Sequence, residues 1–225
     1  MFGAWQAAAW KAMAPHFQPD LVVGCSIGSL NGYLIASGLT PDEIIALWRD
    51  QKNADLQRLP MFLKDVTQRM HLRLPFAVTI TELLRMKASI IRDKEVTWQH
   101  LAASIAVPLA LPQQKIQGRW YSDGGLLNPL PVWAALELGA TDILALHCLP
   151  EIPSRLLKPF VRTFRSIFGI NPPVPDNVHV RCLLPSERLG GIHDALHWKH
   201  GNIERWLALG EADAARFYQN ISHRF

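Results

Sequence analysis

Cysteine is too scarce and too scattered in this chain to staple a fold. Cys25, Cys148 and Cys182 are an odd set with no C-x-x-C pair. That favours a reducing compartment such as the cytoplasm over a disulfide framework. Runs of one charge are missing as well. Lysine and arginine total 23 against 19 acidic residues, a formal charge of +4. So mild a balance gives no reason to expect nucleic acid and leaves room for peripheral contact with an anionic membrane. There is no internal repeat and no low-complexity tract, so a repeat architecture is not expected. Residues 1–15 lack a basic segment ahead of their apolar stretch, so no signal peptide is expected either. What remains reads as globular: 225 residues, 49% of them hydrophobic, fit one domain with a sizeable core.

One long uncharged run does occur. Residues 21–39 hold no Asp, Glu, Lys or Arg, and Gly24, Gly28 and Gly32 are spaced as in membrane-helix dimers. The run also contains Gly38, three serines and Asn31. Glycine is costly inside a helix, so the run is not read as a transmembrane segment. It reads instead as a strand, Leu21-Val22-Val23, ending at Gly24, then Ser26 between Gly24 and Gly28, then a helix over 29–37. That is the G-x-S-x-G nucleophile elbow in the strand-to-helix context it requires. The residues flanking Ser26 must be small for the backbone to turn sharply and leave Oγ exposed. The helix after the turn aims its free N–H groups and positive dipole end at charge developing near Ser26. A plain βα turn with Ser26 as helix N-cap would carry the same pentapeptide.

Around the elbow, residues 4–14 read as an alanine-rich helix, broken over 15–19 by Pro15 and Pro19. Thr40-Pro41-Asp42-Glu43 is a helix start: Thr40 as N-cap, Pro41 at N1 and Glu43 closing a capping box. Residues 54–93, with Pro60 and Pro75 as breaks, read as helices and loops of mixed charge, the place for a substrate cover. Residues 102–108 read as a helix end running into a short strand, and 115–121 as one strand. Asp123-Gly124-Gly125 follows as a tight turn whose glycines can take positive φ. Its Asp123 is either a bland turn residue or a carboxylate at the strand edge where α/β folds gather their sites. A helix over 132–138, ended by Gly139, leads to a continuous apolar strand over 141–148, of the kind buried on both faces.

Three later features are less specific. Residues 155–168 form a basic amphipathic stretch, with Arg155, Lys158, Arg162 and Arg165 on one side and Leu157, Phe160, Val161, Phe164 and Phe168 largely opposite. It suits an anionic lipid surface or an ordinary core-packed helix. His193, His197 and His200 fall on one face of a helix, yet no further ligand accompanies them, and no metal is expected. Residues 177–184 read as a strand and 203–218 as a terminal amphipathic helix.

Together these residues resemble the patatin-like phospholipases, a family of serine acyl hydrolases. G-A-W-Q-A-A-A-W-K-A-M (Gly3–Met13) is similar to that family's first helix. G-C-S-I-G-S-L-N-G over 24–32 is similar to its elbow. A-S-I-A-V-P over 103–108 and Y-S-D-G-G-L-L-N-P-L-P-V over 121–132 are similar to the segment around its catalytic aspartate. The resemblance runs from Gly3 to about Ala145. It implies a three-layer α/β fold over residues 1–225, with a mostly parallel central sheet and helices on both faces. It implies Ser26 as nucleophile and Asp123 as its only partner, a dyad without histidine and without a cofactor. Gly3, Gly24, Ile27 and Gly28 would form the elbow and oxyanion region, and Gly124 and Gly125 the turn after the base. The substrate implied is a lipid acyl ester, a phospholipid or lysophospholipid. An ordinary aspartate, with a pKa of roughly 3.9, is a weak base, and desolvation beside Ser26 would improve it.

The family's oxyanion loop, G-G-G-x-x-G after a first core strand, is represented only by Met1-Phe2-Gly3 at its final x-x-G. The resemblance therefore implies an N-terminally incomplete domain, with a longer product supplying that strand and its glycines. A relic that binds lipid or a partner without catalysis is the alternative. The α/β-hydrolase fold shares the elbow and would recruit His193 or His197, but several strands precede the nucleophile in that fold, and too few residues precede Ser26 here.

Overall fold

The computed structural model describes residues 1–54, 58–150 and 158–222. Helix α1 (Gly3–Met13) leads through a proline-flanked turn to strand β1 (Val22–Cys25), and α2 (Ile27–Ala36) starts one residue after it. Helix α3 (Pro41–Arg49) opens as its sequence dictates. Glu43 N–H donates to Thr40 Oγ1 at 3.3 Å, and Thr40 N–H donates to the Glu43 carboxylate at 2.7 Å, a complete capping box. Helix α4 (Leu59–Arg69) carries Pro60 in its first turn, where no intrahelical N–H is needed. Pro60 therefore starts a helix rather than breaking one.

The segment 54–93 departs from its expectation. It holds β2 (Phe76–Glu82), buried along its whole length, and its partner β3 (Lys87–Arg92). Phe76-Ala77-Val78-Thr79-Ile80-Thr81 is rich in β-branched residues and too short for a helix, which is why it forms the middle of the sheet rather than a cover. After α5 (Trp98–Ile105) no strand forms near Val107; the chain turns there, with Leu109 at φ 67°. Residues 115–121 are not one strand but a hairpin, β4 (Gln114–Ile116) and β5 (Arg119–Asp123). Gln117 and Gly118, at φ 48° and 80°, make the left-handed two-residue turn that suits such a hairpin. Then follow α6 (Val132–Glu137), β6 (Asp142–Leu146), α7 (Lys158–Phe168), β7 (His179–Leu183), α8 (Ile192–Leu196) and α9 (His200–Ser222).

The architecture is α/β, with helices on both sides of a sheet that is mixed rather than purely parallel. β1 runs parallel to β2, and β6 parallel to β7 in a second sheet, while β3, β5 and β4 join by antiparallel pairs. β3 occupies one edge of β2. The other edge is shared: β1 pairs with it as far as Cys25 opposite Thr79, and β5 takes over with Asp123 opposite Ile80. The C-terminal ends of β1 and β5 therefore meet head to head.

The strands alternate between two cores, as period-two side chains must. Val22, Phe76, Val78, Ile80 and Ile91 face the main core with α1, α2, α3, α5 and α9, where Trp5, Leu101 and Trp206 are fully buried. Val23, Ala88 and Ile90 face the other way, against Trp133 of α6 and Phe164 of α7. β6 divides similarly: Ile143 and Ala145 pack beneath α6, and Leu144 and Leu146 touch the main core while remaining half-exposed. Its second face is thus covered only in part, and the strand is not buried on both faces as its apolar run suggested. Of the basic stretch, residues 155–157 lie outside the described residues.

Candidate active site

Ser26 sits at φ 52° and ψ −133° between β1 and α2. A residue with a Cβ rarely takes such a conformation, and it persists only when its surroundings hold it. They do so from both sides. Ser26 N–H donates to Ser104 Oγ at 2.9 Å, and Ser26 C=O accepts from Ser29 Oγ at 2.7 Å and Ser29 N–H at 2.9 Å. Gly24 is what lets the turn close: a Cβ there would lie 2.8 Å from Gly28 O and 2.9 Å from Ser29 N. The requirement for smallness does not extend to both flanks. A Cβ on Gly28 would meet only the Gln6 side chain, at 3.5 Å, an ordinary contact.

Asp123 ends β5. Its N–H donates to Ala106 O at 3.1 Å, and its C=O accepts from Thr81 Oγ1 at 3.0 Å. The side chain is buried, 5% exposed. Oδ2 accepts the Ser26 hydroxyl at 2.6 Å, and Oδ1 accepts Gly125 N–H at 2.6 Å. Burial pushes the carboxyl up to about 6, against the opposing hydrogen bonds from Ser26 and Gly125 and the nearby charge of Arg165. A buried carboxylate with a near-neutral pKa and a serine proton within reach can act as a base in a way that an exposed aspartate cannot.

The two glycines after Asp123 serve a purpose other than the one expected. Neither has positive φ. Gly124 is needed for space, since a Cβ there would come within 2.6 Å of Thr79 Oγ1 and run into the Thr79 carbonyl. A Cβ on Gly125 would sit 2.9 Å from Asp123 Oδ1, displacing the carboxylate. Of the other residues singled out, Gly3 lies against Ile27 and the Trp48 ring, close enough that a Cβ would strike both, and its C=O accepts Asn31 Nδ2 at 2.8 Å. The chain start is thereby seated on the elbow, with Ile27 and Gly28 opening α2 beside Ser26.

A family model described as patatin-like phospholipase matches residues 1–95 and, in an overlapping segment, 77–136. The chain belongs to the patatin-like phospholipase family. No curated protein matches it. The patatin-like span contains Ser26 and Asp123 and stops before α7. Membership suggests a hydrolase acting on lipid acyl esters. Among the described residues no helix is long and apolar enough to cross a membrane.

The histidines do not form the helical face expected of them. His193 lies in α8, His197 caps its end, and His200 begins α9. The rings of His193 and His197 stack on each other at 4.1 Å. Among the described residues, no three His, Cys, Asp or Glu side chains gather as a metal site. Residues that the sequence reading missed are Ser104, Ser29, Thr81 and Arg165. Ser104 lies within the A-S-I-A-V-P block, whose only internal signal was one hydroxyl among small apolar residues. In the sequence Arg165 stands out only as one basic residue of an amphipathic stretch; its contact with the turn after Asp123 depends on how α7 docks.

Proposed function

We propose that this protein hydrolyses phospholipid or lysophospholipid acyl esters, with Ser26 as nucleophile and Asp123 as general base. The observation that carries the reading is the 2.6 Å hydrogen bond from the hydroxyl of a strained elbow serine to a buried carboxylate. As Ser26 Oγ attacks the ester carbonyl carbon, its proton passes to Asp123 Oδ2. The oxyanion faces the N-terminus of α2, where the Ile27 and Gly28 N–H groups lack intrahelical acceptors by position and Gly3 packs alongside. Collapse breaks the bond to the leaving oxygen, which takes the proton from Asp123 and departs as an alcohol. Water then attacks the acyl-Ser26 ester while Asp123 accepts a proton from it, and return of that proton to Ser26 releases the fatty acid.

The substrate is met at a lipid surface. Ile167 and Phe168 at the end of α7 are exposed and supply an apolar contact there. All three cysteines are free, in keeping with a cytoplasmic setting. Release of free fatty acid from phospholipid and lysophospholipid vesicles by the purified 225-residue chain tests the reading. Wild-type release that disappears in Ser26→Ala supports it. No release above the Ser26→Ala level from either lipid, or from a soluble short-chain ester, contradicts it and leaves a lipid- or partner-binding protein.

A further inference from the structure

Helix α7 lies outside the patatin-like span, yet it is fastened to the turn that carries the base. Arg165 is half-buried. Its Nη2 donates to Gly125 O at 2.7 Å and its Nε to Leu126 O at 3.4 Å. The same contact is made from the other side: Asn128 Nδ2 donates to Ile170 O and, at 2.8 Å, to Asn171 Oδ1. Phe164 packs beside Leu127 and Trp133. Gly125 is therefore held at both ends. Its N–H binds Asp123 Oδ1 and its C=O binds Arg165. The chain of contacts runs from the Arg165 guanidinium through Gly125 to Asp123 and on to Ser26 Oγ, with each hydrogen bond between 2.6 and 2.7 Å.

We propose that Arg165 is a positioning residue for the Ser26–Asp123 reaction, fixing the Gly124–Leu126 turn so that the carboxylate faces the serine hydroxyl. Two observations and the geometry of its side chain set it apart from an ordinary surface cation. On a helix whose sequence suited either a lipid surface or an ordinary core-packed face, this arginine turns inward to two backbone carbonyls. A guanidinium is the group suited to hold two acceptors in a fixed plane. It stands close enough to Asp123 for its charge to favour the ionised carboxylate. The other titratable groups facing Asp123 are the Cys25 thiol of β1 and the Cys148 thiol after β6, with His147 nearer Arg165. Burial holds both thiols neutral and disfavours the charged histidine, so Arg165 is the fixed positive charge among them. The role gives the docking of α7 on the active-site turn a consequence: displacement of α7 would move the base.

The inference rests on Ser26 and Asp123 being nucleophile and base, and its test separates the two claims. Wild type, Arg165→Met, Arg165→Gln and Arg165→Lys of the full chain are treated with a fluorophosphonate ester from about pH 4 to about pH 9. The rate of Ser26 modification is read by peptide mass spectrometry and normalised to folded protein. In Arg165→Met the plateau rate falls about tenfold or more, and the acidic limb moves to higher pH because the carboxylate loses its neighbouring cation. Arg165→Gln, which keeps a donor for Gly125 O and so guards against a folding failure, shows the same displaced limb. Arg165→Lys, which keeps the charge, returns the limb toward wild type. A limb and plateau unchanged in both neutral variants, or a loss accounted for wholly by unfolded protein, would overturn the proposal. Equal modification of Ser26 in wild type and Asp123→Asn would instead overturn the dyad, whatever Arg165 does.

Discussion

Ser26 Oγ and Asp123 Oδ2 stand 2.6 Å apart although 97 positions separate them in the chain. The sheet brings them together. β1 and β5 occupy successive halves of one edge of β2, with Cys25 opposite Thr79 and Asp123 opposite Ile80, so the residue after β1 and the last residue of β5 must meet. If the pair acts as one unit, its members fail together. Ser26→Ala and Asp123→Asn should each remove nearly all ester hydrolysis, by about 10³-fold or more. His193→Ala and His197→Ala should leave it within about twofold. The check is turnover of a soluble short-chain ester. Loss of activity in a folded histidine variant would bring back a histidine-dependent triad.

As the proposed base, Asp123 must be ionised to act. Burial holds Asp123 at about 6, so kcat/KM should rise with pH through that region and level off above it. The measurement is a pH–rate profile on the same ester. A profile already flat at about pH 4.5 would show an ordinary exposed carboxylate, contrary to the buried geometry.

The same burial carries a stability consequence of opposite sign. The folded-state value, about 6, lies above the ordinary 3.8, so in that interval the folded protein holds a proton that the unfolded chain has lost. Stability from this group is therefore greatest at low pH and falls as pH rises across the window. Asp123→Asn has no charge to bury. It should be more stable than wild type above about pH 6, by on the order of 1–3 kcal/mol, with the advantage vanishing near pH 4. Urea unfolding at two pH values reads the difference; a pH-independent difference would contradict it.

How much of this was legible depended on the range of the interactions. The elbow, the capping box at Thr40 and the Gly139 stop are set by neighbours in sequence, and each stands where the residues placed it. β2 was not recognised, although Phe76–Glu82 carries β-branched residues at strand length, because mixed charge on either side drew the segment into a helical reading. The hairpin at Gln117-Gly118 was missed because glutamine at positive φ is uncommon and gives no turn signal of its own. At the site, Asp123 was reachable through the D-G-G motif. Ser104 and Arg165 were not, since their roles exist only once α5 and α7 are docked. The glycines after Asp123 illustrate a further limit. Sequence shows that a Cβ is missing, but only the approach of Thr79 shows that space, rather than φ, is what Gly124 provides.

Space also distinguishes the two elbow glycines. Gly24→Ala would drive a Cβ into the backbone of Gly28 and Ser29, whereas Gly28→Ala would touch only a flexible glutamine. Gly24→Ala should cost about 1–3 kcal/mol or more, and Gly28→Ala within about 0.5 kcal/mol. Denaturant midpoints of the two variants decide the matter; similar losses would mean that the elbow is looser than the geometry implies.

The most direct test of the central claim is to catch the covalent intermediate. The 225-residue protein is mixed with an activated fatty-acyl ester, quenched in acid within the first turnover and digested for peptide mass spectrometry. The account predicts an acyl group on the peptide containing Ser26, absent in Ser26→Ala and sharply reduced in Asp123→Asn. Ester turnover with the acyl group on another residue, or with Ser26 acylated equally in Asp123→Asn, would contradict it.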